Sequence, residues 1–390
     1  MVTYPKDWKI ITPFFTMHDS KRVPVAEGER PAGNTPYYGA NGIQGYIKDF
    51  THSGDFVLIA EDGACDIYNY PVKYVSGDIW VNNHAHVIQG IEGISDTKFL
   101  SYALANYDFT PILVGGTRVK LNGKALQNIK IKLPLFKEQK AIADTLSTFD
   151  EHIENLTKLI KKKKAIRDGA LEDLVTGKTR LDGFERGWDK TTSYPRDWEE
   201  NRLDYFVYIY QGGTPSTANK SYWDGDIVWL TPSDVTKHTS LHIYASERKI
   251  TEEGLLNSSA TLLPKGTILL CTRATIGELA IAGRPLATNQ GFKNLVCRSN
   301  ADSTFLAYLL GTKKEELLEK ASGTTFLELS LRELSKIKVL MPPLREQQAI
   351  ASVLTVMDEE INSLEQENNK IIQLRDGAMD DLLTGKIRLV

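Results

Sequence analysis

The chain contains a copy of part of itself, and that duplication constrains its architecture more than any other feature. Residues 134–181 align without a gap on 342–389, an offset of 208 positions. Of the 48 pairs, 23 are identical, where chance gives about three, so the match marks true duplication. The identities include Glu138/Glu346, Gln139/Gln347, Asp150/Asp358, Arg167-Asp168-Gly169-Ala170 against Arg375-Asp376-Gly377-Ala378, and Thr176-Gly177-Lys178 against Thr384-Gly385-Lys386. Upstream the match thins but keeps Gly115/Gly323, Thr117/Thr325, Leu126/Leu334 and Ile129/Ile337. A shorter echo sets Tyr4-Pro5-Lys6-Asp7-Trp8 against Tyr194-Pro195-Arg196-Asp197-Trp198, at an offset of 190. Between these copies, residues 10–114 and 199–322 share little that aligns. A period near 200 is too long for a solenoid. The order is variable, constant, variable, constant, which predicts two similar lobes related by a pseudo-twofold.

The constant parts carry helical periodicity. Ile142, Leu146, Phe149, Ile153, Leu156 and Ile160 are spaced alternately by four and three, and Ile350, Leu354, Met357, Ile361 and Leu364 repeat the spacing. Ile371, Leu374, Ala378 and Leu382 continue it. That is the a/d stripe of paired helices. Pro134 and Pro342 precede the starts, and Gly177 and Gly385 stand at the stops, with Lys178 and Lys386 favourable at the negative ends. A helix from about Glu138 to Thr176 would be roughly 58 Å long at 1.5 Å per residue. Lys161 to Lys164 form a solvated face. Asn368 falls on the second stripe, where one polar residue either fixes register or is exposed by drift of the stripe.

The variable parts read as strand-rich α/β. Short apolar runs, Phe56 to Ala60, Asp78 to Val81, Asp226 to Leu230 and Gly266 to Leu270, are punctuated by turns. Each part ends in a short helical pattern, Phe99 to Ala105 and Thr304 to Leu310. Gly39, Gly42 and Gly45, and Gly212-Gly213-Thr214-Pro215, mark expected exposed loops. The predicted organisation is therefore 1–133 strand-rich, 134–181 helical, 182–341 strand-rich and 342–390 helical. The fold class is α/β (α+β), with the lobes separated by two long antiparallel coiled-coil helices.

Chemistry is sparse. No G-x-x-x-x-G-K-[ST] loop and no G-x-G-x-x-G turn is present, so nucleotide-loop and dinucleotide chemistry are unsupported. Asn34-Thr35-Pro36-Tyr37 partly matches an amino-methyltransferase loop but lacks the second proline and a glycine-rich cofactor turn. Asp234 with Glu247-Arg248-Lys249 has the look of a divalent-metal nuclease triad, a pattern that arises by chance in charged chains. His84 and His86, two apart on an expected strand, would share a face and could bind a metal. The second lobe has Asn289-Gln290-Gly291-Phe292 in that place, so no metal and no cofactor is expected. No Ser/His/Asp or Cys/His set emerges, and the chain is expected to bind, not catalyse. Cys65, Cys271 and Cys297 are odd in number and far apart, which predicts free thiols in a reducing cytoplasm. No apolar run approaches 18 residues and no signal peptide is evident, so no membrane partner is expected.

In this order the motifs resemble the DNA-specificity subunit of type I restriction–modification systems, over essentially the whole chain. Tyr37-Tyr38-Gly39-Ala40-Asn41-Gly42 and Trp80 to Val87 carry the resemblance in the first lobe. In the second it rests on Gly212 to Ser216, Thr231-Pro232-Ser233-Asp234, Leu263-Pro264-Lys265-Gly266, Arg273 to Gly277 and Thr288 to Phe292. Both constant segments match, through Pro342-Pro343-Leu344, Glu346-Gln347 and Arg375 to Ala378. The first copy departs slightly, with Pro134-Leu135-Phe136. The resemblance implies two target-recognition domains, each reading one half of a bipartite, asymmetric site in double-stranded DNA. It implies that the helices act as a ruler for the unread spacer, and that methyltransferase and restriction subunits are partners in an ATP-dependent complex. The specificity subunit itself catalyses nothing. Competing expectations are a nuclease or methyltransferase in its own right, and a coiled-coil adaptor that binds proteins only.

Base edges are recognised by hydrogen-bonding side chains. Asn41, Gln44, Asn82, Asn83 and His84 are the DNA-binding candidates of the first lobe. Gln211, Thr214, Ser216, Lys220, Arg273, Asn289, Gln290 and Lys293 are those of the second. Tyr37, Tyr38, Trp223 and Phe292 are expected to pack instead. The net charge of −3 at first argues against nucleic acid. By region it is 0 for 1–133, +2 for 134–181, −1 for 182–341 and −4 for 342–390. Phosphate affinity follows local contacts, not net charge, so the chain alone is expected to bind DNA weakly and to need partner subunits for strong binding.

Overall fold

The structure is a computed structural model, described for residues 4–116, 119–184, 187–189, 194–323 and 327–389. The Thr117/Thr325 pair lies outside the described residues. The chain divides into two compact units, residues 1–158 with 365–390, and residues 159–364. The border falls inside both long helices, Phe136–Val175 and Leu344–Thr384, so each unit contains half of each. They begin two residues after Pro134 and Pro342, and end two residues before Gly177 and one before Gly385.

In the first unit, six strands lie in the order Phe15–Met17, Ala85–Gly90, His52–Ala60, Val72–Val81, Thr35–Gly39, Gly42–Ile47. His52–Ala60 and Val72–Val81 pair antiparallel from His52↔Ile79 to Ile59↔Val72. The apolar run in His52–Ala60 is continuous because both faces are covered. Val57 and Ile59 point toward the helices Thr97–Ala105 and Phe136–Val175, with Phe99, Leu100, Ile142 and Leu146. Phe56 and Leu58 point to the other face, with Tyr38, Val75 and Val87.

The second unit has a five-stranded sheet, in the order Val207–Gln211, Phe292–Cys297, Ile268–Cys271, Leu279–Ala282, His242–Ile243. A three-stranded sheet joins Arg248–Ile250, Trp223–Leu230 and Ala287–Thr288. Ile268–Cys271 repeats the two-faced pattern: Ile268 and Leu270 join the core with Leu295, Phe305 and Ile350, and Leu269 and Cys271 join the opposite one. The first four strands of each large sheet correspond in order. The variable segments therefore share a topology that their sequences conceal.

The duplicated identities make the same contacts in each unit. Gln139 accepts from Asp96 N at 2.9 Å and donates to Ile94 O and Pro134 O; Gln347 accepts from Asp302 N at 2.7 Å and donates to Asn300 O and Pro342 O. Asp96 and Asp302 in turn cap the helices Thr97–Ala105 and Ser303–Thr312. Tyr102 donates to Asp150 at 2.6 Å beside Arg375 at 3.2 Å, and Tyr308 donates to Asp358 at 2.6 Å beside Arg167 at 2.8 Å. Within each unit these pairs run antiparallel, 138 with 388 and 150 with 375, or 167 with 358 and 180 with 346.

Four expectations change. Leu374 is 50% exposed, because a straight helix drifts off a seven-residue repeat and Arg375 turns inward to Asp150 instead. Asn368 is half-buried, with an Oδ1 that has no partner among the described residues. Of the helix-pairing residues, Ile142, Leu146, Leu156, Ile350, Leu354 and Ile361 are buried, while Phe149, Ile153, Met357 and Leu364 are half-buried. The glycine segments expected as exposed loops are not loops of that kind. Gly39, Gly42 and Gly45 lie in a hairpin. Gly212 and Gly213 are buried, and a Cβ at Gly212 would lie 1.8 Å from Asn289 O. No described helix is long and apolar enough to cross a membrane.

Candidate nucleic-acid interface

In the first unit, the candidates gather where the hairpin turn, the strand end after Ala60 and the turn before Ala85 meet. Asn41 is exposed, but its amide ties down the neighbouring loop, donating to Gly63 O and accepting from Cys65 N, both at 2.9 Å. Asn82 is 4% exposed. Its Nδ2 donates to Gln44 Oε1 at 3.2 Å and its Oδ1 accepts from His84 N at 2.8 Å. Gln44 and Asn83 are exposed, so they form the solvent-facing edge of this cluster, Gln44 with its Oε1 held by Asn82.

The two histidines do not share a face. His84 sits in the turn, with Nδ1 2.5 Å from Asp62 Oδ1. His86 is the second residue of Ala85–Gly90 and buried, with Nδ1 2.6 Å from Asp19 Oδ2 and Nε2 2.8 Å from Leu121 O. Asp19, Glu61 and His86 lie close enough to hold a cation. Arg22 and Lys120 already supply that charge, at 2.6 and 2.9 Å from Glu61. Burial pushes the Glu61 carboxyl up, but hydrogen bonds from Lys120 and Arg22 outweigh it and hold the carboxyl below its usual range.

In the second unit the candidates form two groups at one end of the five-stranded sheet. Thr214 donates its hydroxyl to Gln290 Oε1, and both side chains are exposed. Gln211 ends its strand opposite Lys293. Asn289 spends its Oδ1 on Gly291 N at 2.9 Å, while Ser216 and Lys220 are exposed on the preceding loop. The other group joins Arg273 and Lys293 through Glu328, at 2.7 and 3.2 Å. The Arg273 hydrogen bond, helped by Lys293, outweighs the opposing effect of burial and holds the Glu328 carboxyl below its usual range. Lys293 is 3% exposed, so it supports this group from beneath. Ala274, next to Arg273, takes a left-handed φ of +59°, a strained conformation for a residue with a side chain, of the kind concentrated at functional sites.

Glu328 escaped the sequence reading because acidic residues are not sought at a DNA surface. The Asp234 pattern resolves as structure. Asp234 accepts from Thr231 N at 2.8 Å and from Glu247 N at 2.9 Å, capping the helix Pro232–Thr236. Arg248 lies over Trp223 at 3.7 Å. Tyr37, Tyr38 and Phe292 are buried, and Trp223 packs edge-on against Trp229 at 5.1 Å. Burial pushes the Cys271 and Cys297 thiols up to about 12, which makes them poor nucleophiles at neutral pH.

The family described as the type I restriction modification DNA specificity domain matches twice, over residues 5–164 and 195–373. The type I restriction enzyme MjaIX specificity subunit of Methanocaldococcus jannaschii is 41% identical over 176 residues, 45% of this chain and 41% of that protein. The alignment thus spans less than half of that relative. The putative specificity subunit S.HindORF215P of Haemophilus influenzae is 29% identical over 366 residues, 92% of this chain and 89% of its own length. In fold, the S subunit of the M. genitalium type I restriction-modification system is similar with a TM-score of 0.66, at 18% identity over 97% of each chain. On the family match, which covers most of its length, this chain belongs to the type I restriction–modification DNA specificity family.

Proposed function

We propose that this chain reads a bipartite, asymmetric sequence in double-stranded DNA for a type I restriction–modification complex and catalyses no step of the reaction. Residues 1–133 and 182–341 are the two target-recognition domains, and 134–181 and 342–390 the helical spacers. The observation that carries this reading is the duplicated frame. Identical helix residues make identical contacts in both units, while the lobes share strand order but differ in the polar groups at the sheet end. A conserved mount with two different faces suits two unlike half-sites. In this reading, the helices of 40 and 41 residues, each about 60 Å at 1.5 Å per residue, carry the spacing between the half-sites. Methyltransferase subunits, which modify adenine, and restriction subunits assemble on this frame, in the cytoplasm.

A gel-shift with the chain and its methyltransferase subunits tests the proposal. The complex is expected to shift a target duplex selectively, and the isolated chain to bind weakly. An intact complex with no sequence-selective shift would leave the adaptor reading in its place. Cleavage or methylation of DNA by the purified chain with magnesium or a methyl donor would favour the enzyme reading.

A further inference from the structure

Each unit contains the same three-way backbone bridge. In the first, Lys120 pairs with both Asp62 and Val114; in the second, Glu328 pairs with both Arg273 and Ser322. Leu121 N donates to Glu61 O at 2.7 Å, and Leu329 N to Thr272 O at 3.0 Å. Positions 114, 120 and 121 become 322, 328 and 329 by the same offset of 208 that relates the long helices. Lys120 and Glu328 are therefore equivalent, as are Asp62 and Arg273. His86 and Lys293 correspond too, each the second residue of its strand, opposite Ile59 and Leu270.

The charges have changed places. In the first unit the carboxylate stands at the strand end and the cation on the bridge: Glu61, the residue before the bridge partner Asp62, lies 2.9 Å from Lys120. In the second the carboxylate is on the bridge and the cation at the strand end, with Glu328 2.7 Å from Arg273. What faces solvent is nonetheless the same. The Lys120 and Arg273 side chains are each 44% exposed, and their carboxylates less, at 14% and 32%. Beneath each lies a second basic residue, His86 or Lys293, buried against the sheet.

A side chain that names a base must suit its own half-site. One that holds a phosphate needs only its charge and its place, whichever residue supplies them. A cation kept in place while its carriers are exchanged fits the second kind. We propose that Lys120 and Arg273 are the corresponding backbone-phosphate contacts of the two lobes, each held by a carboxylate at its bridge, Glu61 or Glu328, and that neither names a base. The proposal rests on the DNA-reading function above.

The test uses the chain assembled with its methyltransferase subunits, a target duplex and an unrelated duplex, between about 50 and 200 mM salt. Lys120→Gln and Arg273→Gln are each expected to weaken both duplexes by a similar factor, and to reduce the log–log salt slope by about 0.9. The methylated sequence stays unchanged. The exchanged pair R273E/E328R, which gives the second lobe the first lobe's polarity, is expected to restore the slope. A change of methylated sequence at one base pair would make the residue a base reader and overturn the proposal. So would an unchanged slope in the Gln variants, or no recovery in an exchanged pair whose unfolding midpoint matches the parent. A parent complex with no selective shift would instead sink the DNA reading itself, and this proposal with it.

Discussion

Arg388 grips Asp7 with two hydrogen bonds, at 3.1 and 2.8 Å, although 381 positions separate them. The same guanidinium donates twice to Glu138, at 2.6 and 2.8 Å, and lies 6.0 Å from the Trp8 ring. Arg180 does the same in the second unit, with Asp197 at 3.0 and 3.1 Å, Glu346 at 2.5 and 2.7 Å, and Trp198 at 5.7 Å. The Tyr-Pro-x-Asp-Trp echo and the helical repeat, read separately in the sequence, are thus two sides of one clasp.

Arg180→Ala should be the more damaging of the two clasp deletions. Both carboxylates are buried, Glu346 at 0% and Glu138 at 2%, but Arg180 is 10% exposed and Arg388 27%, so the second unit's clasp is the more withdrawn from water. Removing Arg180 leaves the buried Glu346 carboxylate with Trp198 Nε1, at 3.1 Å, as its donor, so a loss of about 3 kcal/mol, the low end for a broken buried pair, is expected. Chemical denaturation of the two variants checks the order, which a larger loss in Arg388→Ala would reverse.

The clasp also explains the glycines that end the long helices. Gly177 and Gly385 take φ of +72° and +74°, and a Cβ would meet Pro195 at 2.8 Å and Pro5 at 2.5 Å. Gly385→Ala combines left-handed strain with a clash of the added methyl on the Pro5 ring, so a loss of about 1–3 kcal/mol is expected. An unchanged melting temperature would mean that the turn is not held against Pro5.

Tyr308→Phe removes a hydroxyl bonded to a carboxylate, a contact that contributes about 1.5–3 kcal/mol. Its loss should exceed that of Tyr102→Phe, because the Asp358 side chain is 28% exposed and Asp150 41%. Paired unfolding curves decide the ranking, and equal losses would contradict it.

The Glu61 cluster gives a pH dependence of definite sign. A carboxyl held below its ordinary value of 4.5 stabilises the fold when ionised, so its contribution is fully present above that value. It is lost as the pH falls through the lower folded value. The melting-temperature gap between the parent and Glu61→Gln should be widest near neutrality and close in acid. A gap that widens in acid would show the opposite linkage.

The parts legible in the sequence were those where one local signal decides the outcome. Heptad spacing and terminal prolines and glycines located the long helices within two residues, and apolar runs fell on Ile268–Cys271 and on the last four residues of Val72–Val81. The site was less legible, because a polar residue at a strand end looks the same whether its amide faces solvent or a neighbour. Asn82 and Lys293 are buried and partnered, while Gln44 and Gln290 are exposed. The bridge went unseen because its two copies carry opposite charges, Lys120 against Glu328, which identity matching discards. The 208 offset itself could have revealed it.

The most direct test replaces residues 199–322 with the corresponding segment of another specificity chain, and maps adenine methylation in cells that also supply the partner subunits. The account predicts that one half of the methylated sequence changes while the other half is kept. A change in both halves, or in neither, would contradict it.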